Sequence, residues 1–174
     1  MRRIRCLSTV IALLLCTLTL PASAAAGDDF TIALMGGTGG SPDSDGFGNT
    51  SVQALFAMDL AVRTRFVLRA GQMDLDLEQG DFTRGFDLTY VTASTEYQMP
   101  SSFYESGLFI GIGFYDLEPD FGESEDAIGL NLGVTGDFTL TDRWSILAEF
   151  SAHWADLDAE NFFFLGHVGV AFHF

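Results

Sequence analysis

His153, His167 and His173 are the only histidines of this 174-residue chain, and Glu149 stands four positions before the first of them. The even spacings 149/153 and 167/173 put each pair on one side of an extended chain. A histidine beside a carboxylate can move protons. Two such groups without a positioned nucleophile do not define a catalytic centre, so they are read as polar side chains that satisfy one another inside the fold. No catalytic residue, metal or cofactor is expected. The triplets Asp74-x-Asp76-x-Glu78 and Asp156-x-Asp158-x-Glu160 also place like side chains on one side. Carboxylate oxygens suit Ca²⁺, but one strand supplies fewer ligands than the ion takes, and the triplets are read as a solvated rim. Gly36, Gly37, Gly39 and Gly40 are followed by no Lys and open no helix, so they fail the context of a phosphate loop and read as a flexible first loop. Arg69 lies within an apolar run. A guanidinium there needs a carboxylate partner.

The elements that must position these groups show a period of two. Alternation of apolar with small or polar residues recurs in eight segments, near 29–37, 51–62, 65–75, 85–97, 106–117, 127–138, 144–155 and 162–174. In the seventh, Trp144, Ile146, Ala148, Phe150, Ala152 and Trp154 share one face, and Ser145, Leu147, Glu149, Ser151 and His153 the other. In the fourth, Phe86, Leu88 and Tyr90 take one parity and Val91, Ala93 and Tyr97 the other, which predicts a bulge. The connections near 36–50, 75–84, 117–126 and 156–161 are rich in Gly, Asp, Glu, Ser and Pro. Those at Arg63-Thr64-Arg65, Pro100 to Glu105 and Thr139 to Arg143 are tight. Long connections on one side and short turns on the other predict an eight-stranded antiparallel up-and-down transmembrane β-barrel, with short periplasmic turns and longer extracellular loops. A soluble barrel or sandwich is the alternative. It would carry lysine outside, and this chain has none. The face opposite the apolar one holds Gly, Asn, Thr, Asp59, Arg69, Glu149 and His167, a set suited to a narrow interior. Trp144, Trp154, Phe162 and Phe174 sit at segment ends as interface girdles do.

Residues 1–26 read as an export signal. Arg2, Arg3 and Arg5 precede an apolar run from Leu7 to Leu20, and Pro21 and Ala22-Ser23-Ala24 follow, with cleavage expected after Ala24 or Ala26. Residues 27–174 are then a single barrel domain. Both cysteines, Cys6 and Cys16, leave with the signal. Of 8 basic residues, 3 leave as well, so the remainder carries 5 Arg against 24 acids, a net charge of 5 − 24 = −19. Nucleic acid is excluded as a partner, because phosphate binding needs clustered Lys and Arg.

His167-Val168-Gly169-Val170-Ala171-Phe172-His173-Phe174 resembles the C-terminal assembly signal of bacterial outer-membrane barrels at His167, Gly169, Phe172 and Phe174. Leu140 to Phe150 resembles the turn and seventh strand of the small OmpA/OmpX-like barrels. The resemblance implies an integral protein of the cell outer membrane that meets periplasmic chaperones and the barrel-assembly machinery on its way. It implies contact with outer-membrane lipids and lipopolysaccharide, whose divalent cations would neutralise the acidic rim, and a monomer. The fold hosts many functions. A structural or surface-interaction role with a side-chain-filled lumen is the leading expectation, and a small-solute or ion conduit the alternative. A lipid A-modifying enzyme is the third, set back because Ala155 stands where the serine of such enzymes is expected, two residues after His153.

Two registers follow. If the last loop is centred on Asp158, Glu149 faces His167, and the two are expected to hydrogen bond. If Thr64 centres the second turn, Asp59 faces Arg69 as its ion-pair partner, with Glu149 or Glu96 as further neighbours across the lumen.

Overall fold

The computed structural model describes residues 30–42, 48–79, 82–101, 104–120 and 122–174, with backbone alone at 77–79, 82–84 and 100. The export-signal reading of residues 1–26 lies outside the described residues. Eight strands follow one another: β1 Phe30–Gly40, β2 Asn49–Ala61, β3 Thr64–Gln79, β4 Phe82–Pro100, β5 Glu105–Pro119, β6 Glu125–Thr139, β7 Trp144–Ala155 and β8 Phe162–His173. Each pairs antiparallel with its chain neighbour, and β8 pairs with β1 to close the barrel. Both ends of the barrel chain, Phe30 and Phe174, meet at one rim, where the Phe174 amide donates to the Phe30 carbonyl at 2.9 Å. The ends of β2, β4 and β6 and the starts of β3, β5 and β7 share this terminus end.

Registers fix the tilt. A circuit leaving β1 at Phe30 through Met58, Phe66, Thr95, Ile110, Leu132, Ala152 and Phe164 returns to β1 at Gly40, ten positions on. A stagger of this size tilts strands by about 35–45°, and eight strands leave room inside only for side chains.

Parity sorts every strand. Outward positions carry Leu34, Leu68, Val91, Leu108, Ile110, Ile112, Ile128, Leu130, Val168 and Val170, all exposed. Trp144 and Trp154 both face outward, ten residues apart on β7. At about 3.4 Å per residue and a tilt near 40° they stand about 26 Å apart along the axis, the height of a hydrocarbon-facing band. Trp144 packs edge-on against Phe172, which meets Phe174. Tyr104 stacks on Phe138 at the same rim.

Several connections differ from expectation because the strands outrun the band. Residues 75–79 and 82–84 are strand, not loop: Leu75 points into the barrel while Asp74 and Asp76 point out into water. Likewise β5 runs to Pro119 and β6 starts at Glu125. Gly36, Gly37, Gly39 and Gly40 belong to β1 rather than to a flexible loop. At Gly37 a side chain would run into the Gly166 carbonyl of β8, so this closing seam requires glycine. β4 carries no bulge: its pairing to β3 and β5 is continuous, with Phe86, Leu88 and Tyr90 inward and Val91 and Tyr97 outward. Both parities are apolar there because the interior itself becomes apolar toward the far end. The bulge lies instead between Asp59 and Ala61 of β2.

Candidate functional site

The interior is stacked in layers. Nearest the far rim, Met73, Leu75, Leu88, Leu117, Phe163 and Leu165 are at most 1 % exposed and form an apolar plug, joined by Leu157 from the 156–161 connection. That connection is tied down by Glu125, whose carboxylate accepts from the amides of Asp158 and Ala159. A second apolar layer of Ala33, Met35, Leu55, Ala57, Val67, Leu147 and Ala171 lies toward the termini.

A belt of paired charges is enclosed among them. Arg69 of β3 donates from Nε to Glu149 of β7 at 2.8 Å and from Nη2 to Glu96 of β4 at 3.4 Å. Its Cζ lies 3.8 Å from the centroid of the Phe109 ring. Arg65 donates from Nε to Glu96 at 3.0 Å, and Thr135 donates to the same carboxylate at 3.2 Å. Gln53 donates to Glu149 at 3.1 Å and accepts from the Tyr90 hydroxyl at 2.9 Å. Two cations and two carboxylates thus balance inside the lumen. Each is almost fully buried, so pairing is a condition of the fold. Neutral links extend the belt. Ser51 Oγ and His167 Nε2 lie 2.9 Å apart, Tyr115 reaches His153 Nδ1 at 2.9 Å, His153 Nε2 lies 2.8 Å from Ser151, and Asn131 donates to Ser94 at 3.0 Å. At the terminus rim, His173 bridges Thr31 of β1 and Ser145 of β7 at 3.0 and 2.8 Å, across the closing seam.

The site residues named from sequence fall as follows. Glu149 lies opposite His167 in the β7–β8 register. They do not bond to each other: Glu149 is taken by Arg69 and Gln53, and His167 turns to Ser51. Asp59 does not face Arg69. It lies opposite Arg65, and Arg69 lies opposite Leu55. The turn is Val62-Arg63, with Arg63 at a φ of 74°, rather than one centred on Thr64. No Gly or Asn marks a left-handed turn residue here. Between Arg65 and Leu68 the register differs from the expected one by four, an even number, so every side chain keeps its expected face. Arg65, read as a turn residue, is instead an inward, buried partner of Glu96. Of the C-terminal motif, His167 and Gly169 face inward and Phe172 and Phe174 outward; a side chain at Gly169 would run into the Leu34 carbonyl. Gln53, Tyr90, Thr135 and Asn131 were not singled out from sequence. Inward parity on their strands was the available signal.

Outside, above the apolar band at the far end, carboxylates face one another across strands: Asp74 opposite Asp87, Asp87 opposite Glu118, and Asp116 opposite Asp126. Burial, and then the neighbouring Glu118 and Asp126, push the Asp116 carboxyl above the usual range. Among the described residues no group of three or more His, Cys, Asp or Glu is placed to hold a metal ion.

No protein-family model and no curated sequence matches the chain. Solved structures do. A major outer-membrane protein of Thermus thermophilus superposes with a TM-score of 0.64 at 13 % identity, over 85 % of this chain and 100 % of that one. Neisserial surface protein A gives 0.63 at 15 %, over 87 % and 100 %. Ail, the attachment invasion locus protein of Yersinia pestis, solved in complex with the heparin analogue sucrose octasulfate, gives 0.57 at 12 %, over 84 % and 97 %. The fold is therefore that of the small eight-stranded outer-membrane β-barrels.

Proposed function

We propose that the chain is exported and resides in the bacterial outer membrane as an integral barrel of the OmpA/OmpX-like kind, with a structural or surface-interaction role and no through-channel. The observation that carries this reading is the inverted sorting of side chains: a band of exposed aliphatic residues bounded by aromatics outside, and paired charges inside. A protein facing water would place these sets the other way round. The apolar plug and the ion-pair belt argue against solute passage, since a conduit would have to break buried pairs. Insertion would use the assembly machinery, with the outward Phe172 and Phe174 as the recognised aromatic end. Whatever the protein meets outside, it meets through its rim, which is acidic in the β3–β6 sector and therefore suits cationic or cation-bridged partners. Polyanions of the kind bound to Ail should not be retained.

The test is envelope fractionation with conductance measurements. The protein should sediment with outer membranes and, purified into planar bilayers, give no unitary currents. Recovery as a soluble periplasmic protein would defeat the location, and reproducible channel steps would defeat the closed lumen.

A further inference from the structure

The two rims of the barrel end differently. At the far end the outer face turns acidic above the apolar band, with Asp74, Asp76, Glu118 and Asp126 exposed. At the terminus end the band runs on into the turns. Leu60 is 57 % exposed, and Val62, in the two-residue turn between β2 and β3, is 93 % exposed. Leu140 opens the connection between β6 and β7 and is 59 % exposed, with Phe138 and Trp144 outward on either side of it in the chain. An apolar tip is costly in water, and contiguous exposed apolar surface marks contact with a partner or a membrane. Each turn also carries an exposed arginine, Arg63 beside Val62 and Arg143 beyond Leu140. Neither guanidinium has an ion-pair partner among the described residues, although Glu105 and Asp142 share this rim. Arg63 holds a φ of 74°, a conformation that glycine or asparagine adopts with less strain. A larger side chain kept at such a position points to a use for it. The two turns are four strands apart in a circle of eight, so they stand on opposite sides of the barrel.

We infer that the terminus rim is anchored in the headgroup layer of the leaflet it faces: Val62 and Leu140 reach the upper acyl chains, and Arg63 and Arg143 hold the phosphates of glycerophospholipids. A guanidinium is a planar fork that fits phosphate oxygens. Its stem can lie along apolar surface while its head stays in the polar layer. Continuity assigns the occupant, because Leu60, Phe138 and Trp144 beside these turns belong to the outward apolar face. The barrel then sits asymmetrically, sunk to its turns at one end and standing clear of the bilayer at the acidic end. The inference rests on the membrane location proposed above, and the experiment separates the two.

The unaltered barrel, methyl-labelled and folded into phosphatidylglycerol nanodiscs, supplies the first arm. The Val62 and Leu140 methyls should show cross-relaxation to glycerol and upper acyl protons of the lipid. Ile110 and Leu132 of the band should show it to chain methylenes. Val62 and Leu140 in contact with water alone, beside lipid contacts at Ile110 and Leu132, would overturn this inference and leave the membrane location standing. Ile110 and Leu132 without lipid contacts would overturn both. The second arm combines Arg63→Asn with Arg143→Asn, since asparagine accommodates the backbone at position 63. The temperature at which the heat-modifiable gel band converts should fall in phosphatidylglycerol vesicles. It should not fall in micelles of dodecyl maltoside, which has no phosphate, and inorganic phosphate added to those micelles should not raise it for the unaltered protein. An equal fall in both media, no fall in the vesicles, or a rise with free phosphate would overturn the assignment of Arg63 and Arg143 to lipid phosphate.

Discussion

Arg69 is where the energetics of this interior concentrate. Its guanidinium is withdrawn from water, seated on the Phe109 ring and shared between Glu149 and Glu96. A buried pair of this kind need not outperform apolar packing, but removing one member strands the other charge, at a cost of about 3–5 kcal/mol. Arg69→Ala should therefore lower the unfolding free energy in detergent by that order. A double-mutant cycle of Arg69→Ala with Glu149→Gln should show strong coupling. The cycle of Arg69→Ala with Asp59→Ala should be close to additive, because Asp59 stands opposite Arg65. Coupling in the second cycle and none in the first would contradict the observed register. That Arg69 needs a carboxylate was legible from its apolar surroundings. Which carboxylate was not, because the choice depends on pairings across a lumen that joins β3 to β7, eighty residues apart.

At the scale of strands, what was legible is what a period of two encodes: eight segments, their inner and outer faces, and the opposition of Glu149 and His167. Strand ends were not, because Asp76 and Glu118 read as loop chemistry, whereas they lie on strands that continue past the apolar band. The second turn was misplaced for a related reason. Val62-Arg63 has no turn signature, and the bulge near Leu60 leaves no mark in the sequence. The carboxylate rows make a pH prediction. The carboxyl of Asp116 is raised by burial and by Glu118 and Asp126, so the folded state holds its proton more firmly than the unfolded chain. Its favourable contribution is thus fully present below the ordinary carboxylate range and is lost as pH rises through the raised value. Asp116→Asn should stabilise the barrel at neutral pH by about 0.2–1 kcal/mol, the scale of a cross-strand pair, and change nothing in acid. An equal gain at both pH values would rule this origin out. At the other end of the fold, the terminal aromatic joins Phe172 and bonds to Phe30 across the closing seam. Deleting Phe174 should reduce the yield of heat-modifiable barrel in the envelope. Undiminished assembly would remove this residue from any part in closure or recognition.

The whole molecule is an inverted protein, with its charge pairs inside and its aliphatic residues outside, and its two tryptophans can report on that inversion. Trp144 and Trp154 are the only ones in the chain, both face outward, and they mark opposite edges of the apolar band. The barrel should be folded into lipid vesicles whose acyl chains carry bromine either close to the headgroups or close to the bilayer centre, and its fluorescence compared with that in unbrominated lipid. Both tryptophans should be quenched, more strongly by the shallow bromines than by the deep ones, and the single variants Trp144→Phe and Trp154→Phe should each retain this depth profile. Emission indifferent to bromine at either depth, in protein shown by its gel mobility to be folded, would contradict a lipid-facing outer surface.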